Sequence, residues 1–182
     1  DFDLLTADTT PPVIATSVSP LPNAAGWNSS DVTVSLNATD NSGGSGVKQI
    51  TYSASGAQST PSTTVSGATA SIGVSTEGTT TITYFATDNA GNSGTPGTVT
   101  VKLDKTPPIV TPSINPSQNA AGWNNTDVTV TWSVNEAVSG VAAKSGCDGT
   151  TLTAETAGTT LTCTATNGAG LSASAPVAIK ID

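Results

Sequence analysis

The chain has 182 residues, only 10% of them charged, with 18 Gly, 11 Pro, no His, and a net charge of −8 that leaves five Lys and no Arg to meet any anion. That charge argues against a grip on phosphate backbones or anionic lipid, and the missing His removes the Ser/His/Asp triad, the Cys/His dyad and the His-ligated zinc site. The length allows one large or two small domains, and the excess of Thr, Ser and Val over Leu and Glu points to strands.

No window carries the i, i+3, i+4, i+7 spacing of an amphipathic helix; short alternating runs separated by Gly, Asn, Asp and Pro recur instead. In chain order, residues 1–7 lack the basic and apolar regions of a signal peptide, and Phe2 to Leu5 read as a terminal strand remnant or a donor strand. Strands are predicted near 13–18, 32–38 and 47–53, then, after a variable segment, near 68–74, 80–87 and 98–103. Along the second of these, Val32, Val34, Leu36 and Ala38 share one face by period-two alternation. Between the first two lies NAAGWN, residues 23–28, in which Asn-Ala-Ala-Gly reads as a turn. No apolar run approaches the ~20 residues that cross a bilayer, so this segment is not expected to insert into a membrane.

NAAGWN recurs unchanged at 119–124. DTTPPVI from Asp8 matches DKTPPIV from Asp104, and DVTVSLNATD from Asp31 matches DVTVTWSVNE from Asp127, all 96 residues apart. Downstream, SGV at Ser45 pairs with SGV at Ser139, and ATDNAGNS from Ala86 pairs with ATNGAGLS from Ala165. Each copy therefore reads as one domain, 8–104 and 105–182, the second shortened in its middle by about 15 residues. Its strand positions Val128, Val130, Trp132 and Val134 repeat the inward face of the first copy. The end Ile179-Lys-Ile-Asp182 aligns with Val101-Lys-Leu-Asp104, as expected of an excerpt from a longer array. Cys147 and Cys163 both lie in the second copy. An even count in a Thr/Ser-rich β protein points to an oxidising compartment and one disulfide, with two buried free thiols as the alternative.

The D-x-T-P-P openings at Asp8 and Asp104, the G-W-N-x-x-D-V-T-V stretches and the ATDNAGN-like loops together resemble the bacterial immunoglobulin-like repeat families of exported surface proteins, over nearly the whole chain. The resemblance implies two tandem antiparallel β-sandwich domains joined by a short linker that Pro107 and Pro108 stiffen. Cys163-Thr-Ala-Thr-Asn167 is similar to the C-x-A-x-N of an immunoglobulin strand. The chain departs from that family in having no cysteine at 32–38 and no core tryptophan at 47–53. The resemblance then pairs Cys163 with Cys147, at the end of a neighbouring strand of the same sheet. Closing that ~15-residue loop would contribute roughly 3 kcal/mol and offset the smaller core.

In such a sandwich the incoming linker and the loops after the second and fifth predicted strands meet at one pole. That topology gathers Asp8, Asp40, Asn41, Asp88, Asn89 and Asn92, a set of hard oxygens suited to calcium, although Asp and Asn are also ordinary turn residues and no D-x-D-x-D-G loop is present. In the second copy Asp104, Glu136 and Asn167 leave two carboxylates. Trp132 is expected in the core. Trp27 and Trp123 are expected to close the end of each sandwich or pack on the linker, ahead of a stacking platform for sugars. Lys102 and Lys180 alternate out of phase with their apolar neighbours and should face solvent, which argues against Lys–Asn isopeptide crosslinks. Asn28, Asn37 and Asn124 head N-x-S/T sequons, none expected to be modified. No nucleophile elbow or phosphate loop is present, and no enzymatic role is expected. The reading is a stalk or spacer of an extracellular or bacterial cell-surface protein, with neighbouring immunoglobulin-like repeats as partners. An adhesion module for a glycan or protein receptor, and a filament subunit self-associating by N-terminal strand addition, are the alternatives.

Overall fold

The computed structural model describes residues 7–182. Apart from Ala7, the terminal or donor strand expected of 1–7 falls on residues outside that range. The chain divides into two compact units, the first ending at Asp104 and the second spanning Lys105–Asp182. Both are built from antiparallel strands, and no helix occurs among the described residues.

The first domain holds β1 (Val13–Ser19), β2 (Val32–Thr39), β3 (Val47–Gly56), β4 (Thr60–Ser66), β5 (Thr69–Val74), β6 (Gly78–Asp88) and β7 (Gly97–Leu103). A three-stranded sheet in the order β1-β2-β5 faces a four-stranded sheet in the order β4-β3-β6-β7, an immunoglobulin-like sandwich. Alternation along β2 does what its sequence dictates: Val32, Val34, Leu36 and Ala38 are buried, and the residues between them are exposed. They meet Ile50, Ile82, Ala86 and Val101 of the opposite sheet, each such apolar side chain contributing on the order of 2 kcal/mol by leaving water. Strand β4 falls in the segment the sequence marks as variable. It is an edge strand of Thr, Ser and Pro whose one apolar residue, Val65, packs on the core, so it carries no alternating pattern to detect. The prolines inside described strands, Pro61, Pro112 and Pro176, sit on edge strands, where a missing N–H costs no ladder hydrogen bond.

The second domain holds β8 (Ile109–Asn115), β9 (Val128–Asn135), β10 (Val141–Ser145), β11 (Thr150–Leu152), β12 (Thr156–Asn167) and β13 (Ser172–Ile181). Its sheets run β11-β9-β8 and β10-β12-β13, so β4 has no counterpart. The deletion thins the core to Val128, Val130, Ile179 and Ile181, with Ile114, Trp132, Leu152, Leu161 and Val177 packed against them. Trp132 and Val134 point inward but are only half-buried, where Leu36 and Ala38 are buried in the first domain. The reason is reach: β5 pairs β2 from Val32 to Asn37, whereas β11 pairs β9 only from Val128 to Val130. Outward Thr and Ser side chains form cross-strand pairs, among them Thr129–Thr151 at 3.0 Å and Thr164–Ser174 at 2.7 Å. Cys147, two residues beyond β10, is bonded to the fully buried Cys163 of β12 with their Cα atoms 4.5 Å apart, and neither cysteine is free.

Candidate metal centre and the repeated clamp

At one end of the first domain, the chain entering β1, the loop after β2 and the loop after β6 bring Asp8, Asp40 and Asp88 together. One oxygen of each lies within 4.8 Å of the others; Asp8 and Asp40 are half-buried and Asp88 is fully buried. Oxygens that share one calcium ion at 2.3–2.6 Å lie at most about 5 Å apart, so the three carboxylates fit that ion in chemistry and in span. Asn41, next to Asp40, carries an amide oxygen on the same loop. A Cβ at Gly44 would lie 2.6 Å from both Asn41 Oδ1 and Asp40 Oδ2, so a larger residue there would have to displace those side chains.

The same carboxylates tie the loops. Asp8 accepts from the backbone N–H of Ser45 at 2.8 Å and of Thr10 at 3.1 Å. Asp40 accepts from Gly46 at 2.7 Å and Asn41 at 2.9 Å, and Asp88 from Asn92 N and Nδ2, both at 2.7 Å. Asn92 Nδ2 also donates to the Asp8 carbonyl at 3.0 Å, and Asn89 Nδ2 donates to the carbonyls of Ser45 and Gly46. Of the six residues the sequence gathers here, Asn89 and Asn92 therefore spend their amide hydrogens as struts. In the second domain Asn167 occupies the station of Asp88: its Oδ1 accepts from Leu171 N at 2.8 Å, and its Nδ2 donates to Thr106 O at 2.9 Å and Glu136 Oε2 at 3.3 Å.

The Ser45 amide, and after it the Thr10 amide, hold the Asp8 carboxyl below its ordinary value of 3.8. A depressed folded pKa means that the stability it contributes is complete above the unfolded value and is lost as pH falls through the folded one. The thermal midpoint of the wild type should therefore fall more steeply from about pH 3.8 downward than that of Asp8→Asn. Parallel acid profiles of the two proteins would show that Asp8 carries no such linkage.

At the opposite end of each sandwich, NAAGWN builds one structure twice. Asn23 Oδ1 accepts from Ala25 N and Trp27 N, both at 3.0 Å, and Asn119 Oδ1 accepts likewise from Ala121 and Trp123, both at 2.9 Å. Gly26 and Gly122 turn the chain at φ of 80° and 79°, in the left-handed region that favours glycine. The last Asn of the motif then grips the final strand. Asn28 N donates to Lys102 O, Asp104 N donates to Asn28 O, and Asn28 Nδ2 donates to Pro20 O, at 2.9, 3.0 and 3.0 Å. Asn124 makes the same three bonds with Lys180, Asp182 and Pro116, at 2.9, 3.0 and 3.0 Å.

Trp27 and Trp123 do not enter the cores. They are half-buried, and the ammonium groups of Lys102 and Lys180 lie 5.9 and 5.5 Å from their ring centroids, so each ring packs beside the outward face of the last strand. Lys102 is exposed between the buried Val101 and Leu103. Pro108 is buried and Pro107 exposed, matching Pro12 and Pro11 of the first copy. Of the sequon residues, Asn28 and Asn124 are buried in the clamp and Asn37 is exposed on β2.

No protein-family model matches the chain, and no curated protein matches it. Among solved structures, it is similar to the fibronectin(III)-like modules of Clostridium thermocellum CbhA, with 16% identity and a TM-score of 0.38 over 92% of this chain and 93% of that one.

Proposed function

We propose that this chain is a pair of structural spacer modules from an extracellular or bacterial cell-surface protein, working beside further repeats of the same kind. The observation that carries the reading is the clamp. The longest stretch that the two copies share without change is the one that fixes how the last strand leaves each sandwich, through the bonds of Asn28 and Asn124. A module whose exit is pinned on its own body passes load and direction along the chain. The disulfide is compatible with an oxidising, extracellular setting. A depression of about 590 Å³ on the first domain is lined by small residues such as Ala15, Ser17, Ser35, Asn37 and Thr69. It offers no acid, base or aromatic ring to a ligand.

Glycan arrays and cell-adhesion assays with residues 1–182 are expected to show no saturable binding. Saturable binding that is lost in Trp27→Ala or Trp123→Ala would select the adhesion reading instead. Calcium at the acidic pole belongs to the same proposal, as an ion that would brace the chain where it enters β1. Asp8, Asp40, Asp88 and Asn41 would hold it, and its charge would relieve the mutual repulsion of the three carboxylates.

A further inference from the structure

Strand β10 is the least anchored strand of either sandwich. All five of its residues are exposed, and none belongs to the second core. Its counterpart β3 is ten residues long, buries Ile50 and Ala54, and is flanked by β4 on one side and β6 on the other. The registers show what changed: Ile50 stands opposite Ala86, and Lys144 stands at the same station opposite Ala165. The inward apolar anchor has become an ammonium that must stay in water. Among the described residues β10 pairs only with β12, over four residue pairs broken by a bulge after Val141. At its leading end Gly168 N donates to Gly140 O at 2.9 Å; at its trailing end the tether is the Cys147–Cys163 bond. Cys163 is fully buried on β12, so half of the tether is rooted in the part of the domain that has a core.

We propose that the Cys147–Cys163 bridge is a redox latch on β10, whose reduction frees that strand locally while β8, β9, β12 and β13 stay folded. A small thiolate attacks the half-buried sulfur of Cys147 and forms a mixed disulfide with it. The sulfur of Cys163 leaves with the electron pair and takes up a proton. A second small thiolate then attacks the reagent's sulfur, releasing Cys147 as a thiol and leaving the two reagent molecules joined by a disulfide. Two protein thiols and one small-molecule disulfide result, so electrons and protons balance. With the bond gone, β10 has no buried side chain to hold it and opens at the low end of the domain's range of opening free energies. Its departure uncovers the edge of β12 from Thr164 to Asn167, a row of backbone donors and acceptors able to pair with an incoming strand.

Hydrogen exchange of the full chain, oxidised and after reduction by dithiothreitol, tests the latch. Amides of 141–147 are expected to lose protection by ~100-fold or more on reduction, while those of β9 and β13 change by less than ~3-fold and the first domain serves as the internal reference. Unchanged exchange in 141–147 would overturn the proposal, and so would an equal loss across the whole second domain, which would mean that the bridge holds the fold. Pulse alkylation of the reduced protein gives a second reading: Cys147 should be labelled quickly and Cys163 only at the rate of global unfolding. Equal labelling rates for the two thiols would overturn it. A Cys147→Ser/Cys163→Ala chain whose second domain fails to fold would do the same.

Discussion

Asn28→Ala is expected to lower the stability of the first domain by about 2 kcal/mol, and Asn124→Ala to lower that of the second by a similar amount. The lost hydrogen bond to Pro20 or Pro116 costs roughly 1 kcal/mol and emptying a packed site about as much, since the two side chains are only 4% and 5% exposed. In domains of this size that is on the order of 10 °C in the midpoint. Asn37→Ala is the control, because Asn37 also heads a sequon but stands exposed on β2, where a substitution should stay within about 0.5 kcal/mol. Urea melts of the three variants, followed by a probe for each domain, check the ranking. Equal effects at Asn28 and Asn37 would mean that the shared motif is not a clamp, and the spacer reading would lose its main support.

Most strands are legible in the sequence because burial and alternation coincide in them: Val32 to Ala38 announce β2, and Ile82 and Val101 announce β6 and β7. β4 is not, because an edge strand that contributes one Val to the core has no face to advertise. The acidic pole can be assembled from topology alone, since Asp8, Asp40 and Asp88 end or precede strands that must converge. What no spacing reveals is how those carboxylates are already engaged, with Asp8 reaching Ser45 across 37 residues. In NAAGWN the tryptophan draws attention as the large apolar residue, while its neighbour Asn28 reads only as a sequon residue. Its unchanged repetition at Asn124 is the available signal. Trp132 takes the inward face that alternation assigns it, but its partial exposure depends on how far β11 extends, and three residues of Thr and Leu do not encode their own register.

Asp88→Ala should cost the first domain about 3 kcal/mol, whereas Asp88→Asn, which can keep one of the two bonds, should cost about half as much. The carboxylate is fully buried and accepts two bonds of 2.7 Å from Asn92, so alanine strands a partly buried N–H and an amide that also ties down the Asp8 carbonyl. Asparagine already stands at this station in the second domain, where Asn167 keeps the bond from the backbone of Leu171 and donates to Glu136. The amide oxygen introduced by Asp88→Asn can keep the bond from Asn92 N in the same way, but its amide nitrogen meets the donor Asn92 Nδ2 and loses the second bond, and the substitution removes one of the three carboxylates proposed to hold a divalent ion. Calcium at about 100 times its dissociation constant would stabilise the wild-type domain by ~2.7 kcal/mol through mass action, and the Asp88→Asn variant should show no such gain. A wild-type midpoint indifferent to millimolar calcium and to chelator would leave the three aspartates as loop ties alone. The penalty of Asp88→Ala would survive that outcome, because it rests on the Asn92 hydrogen bonds and not on any ion.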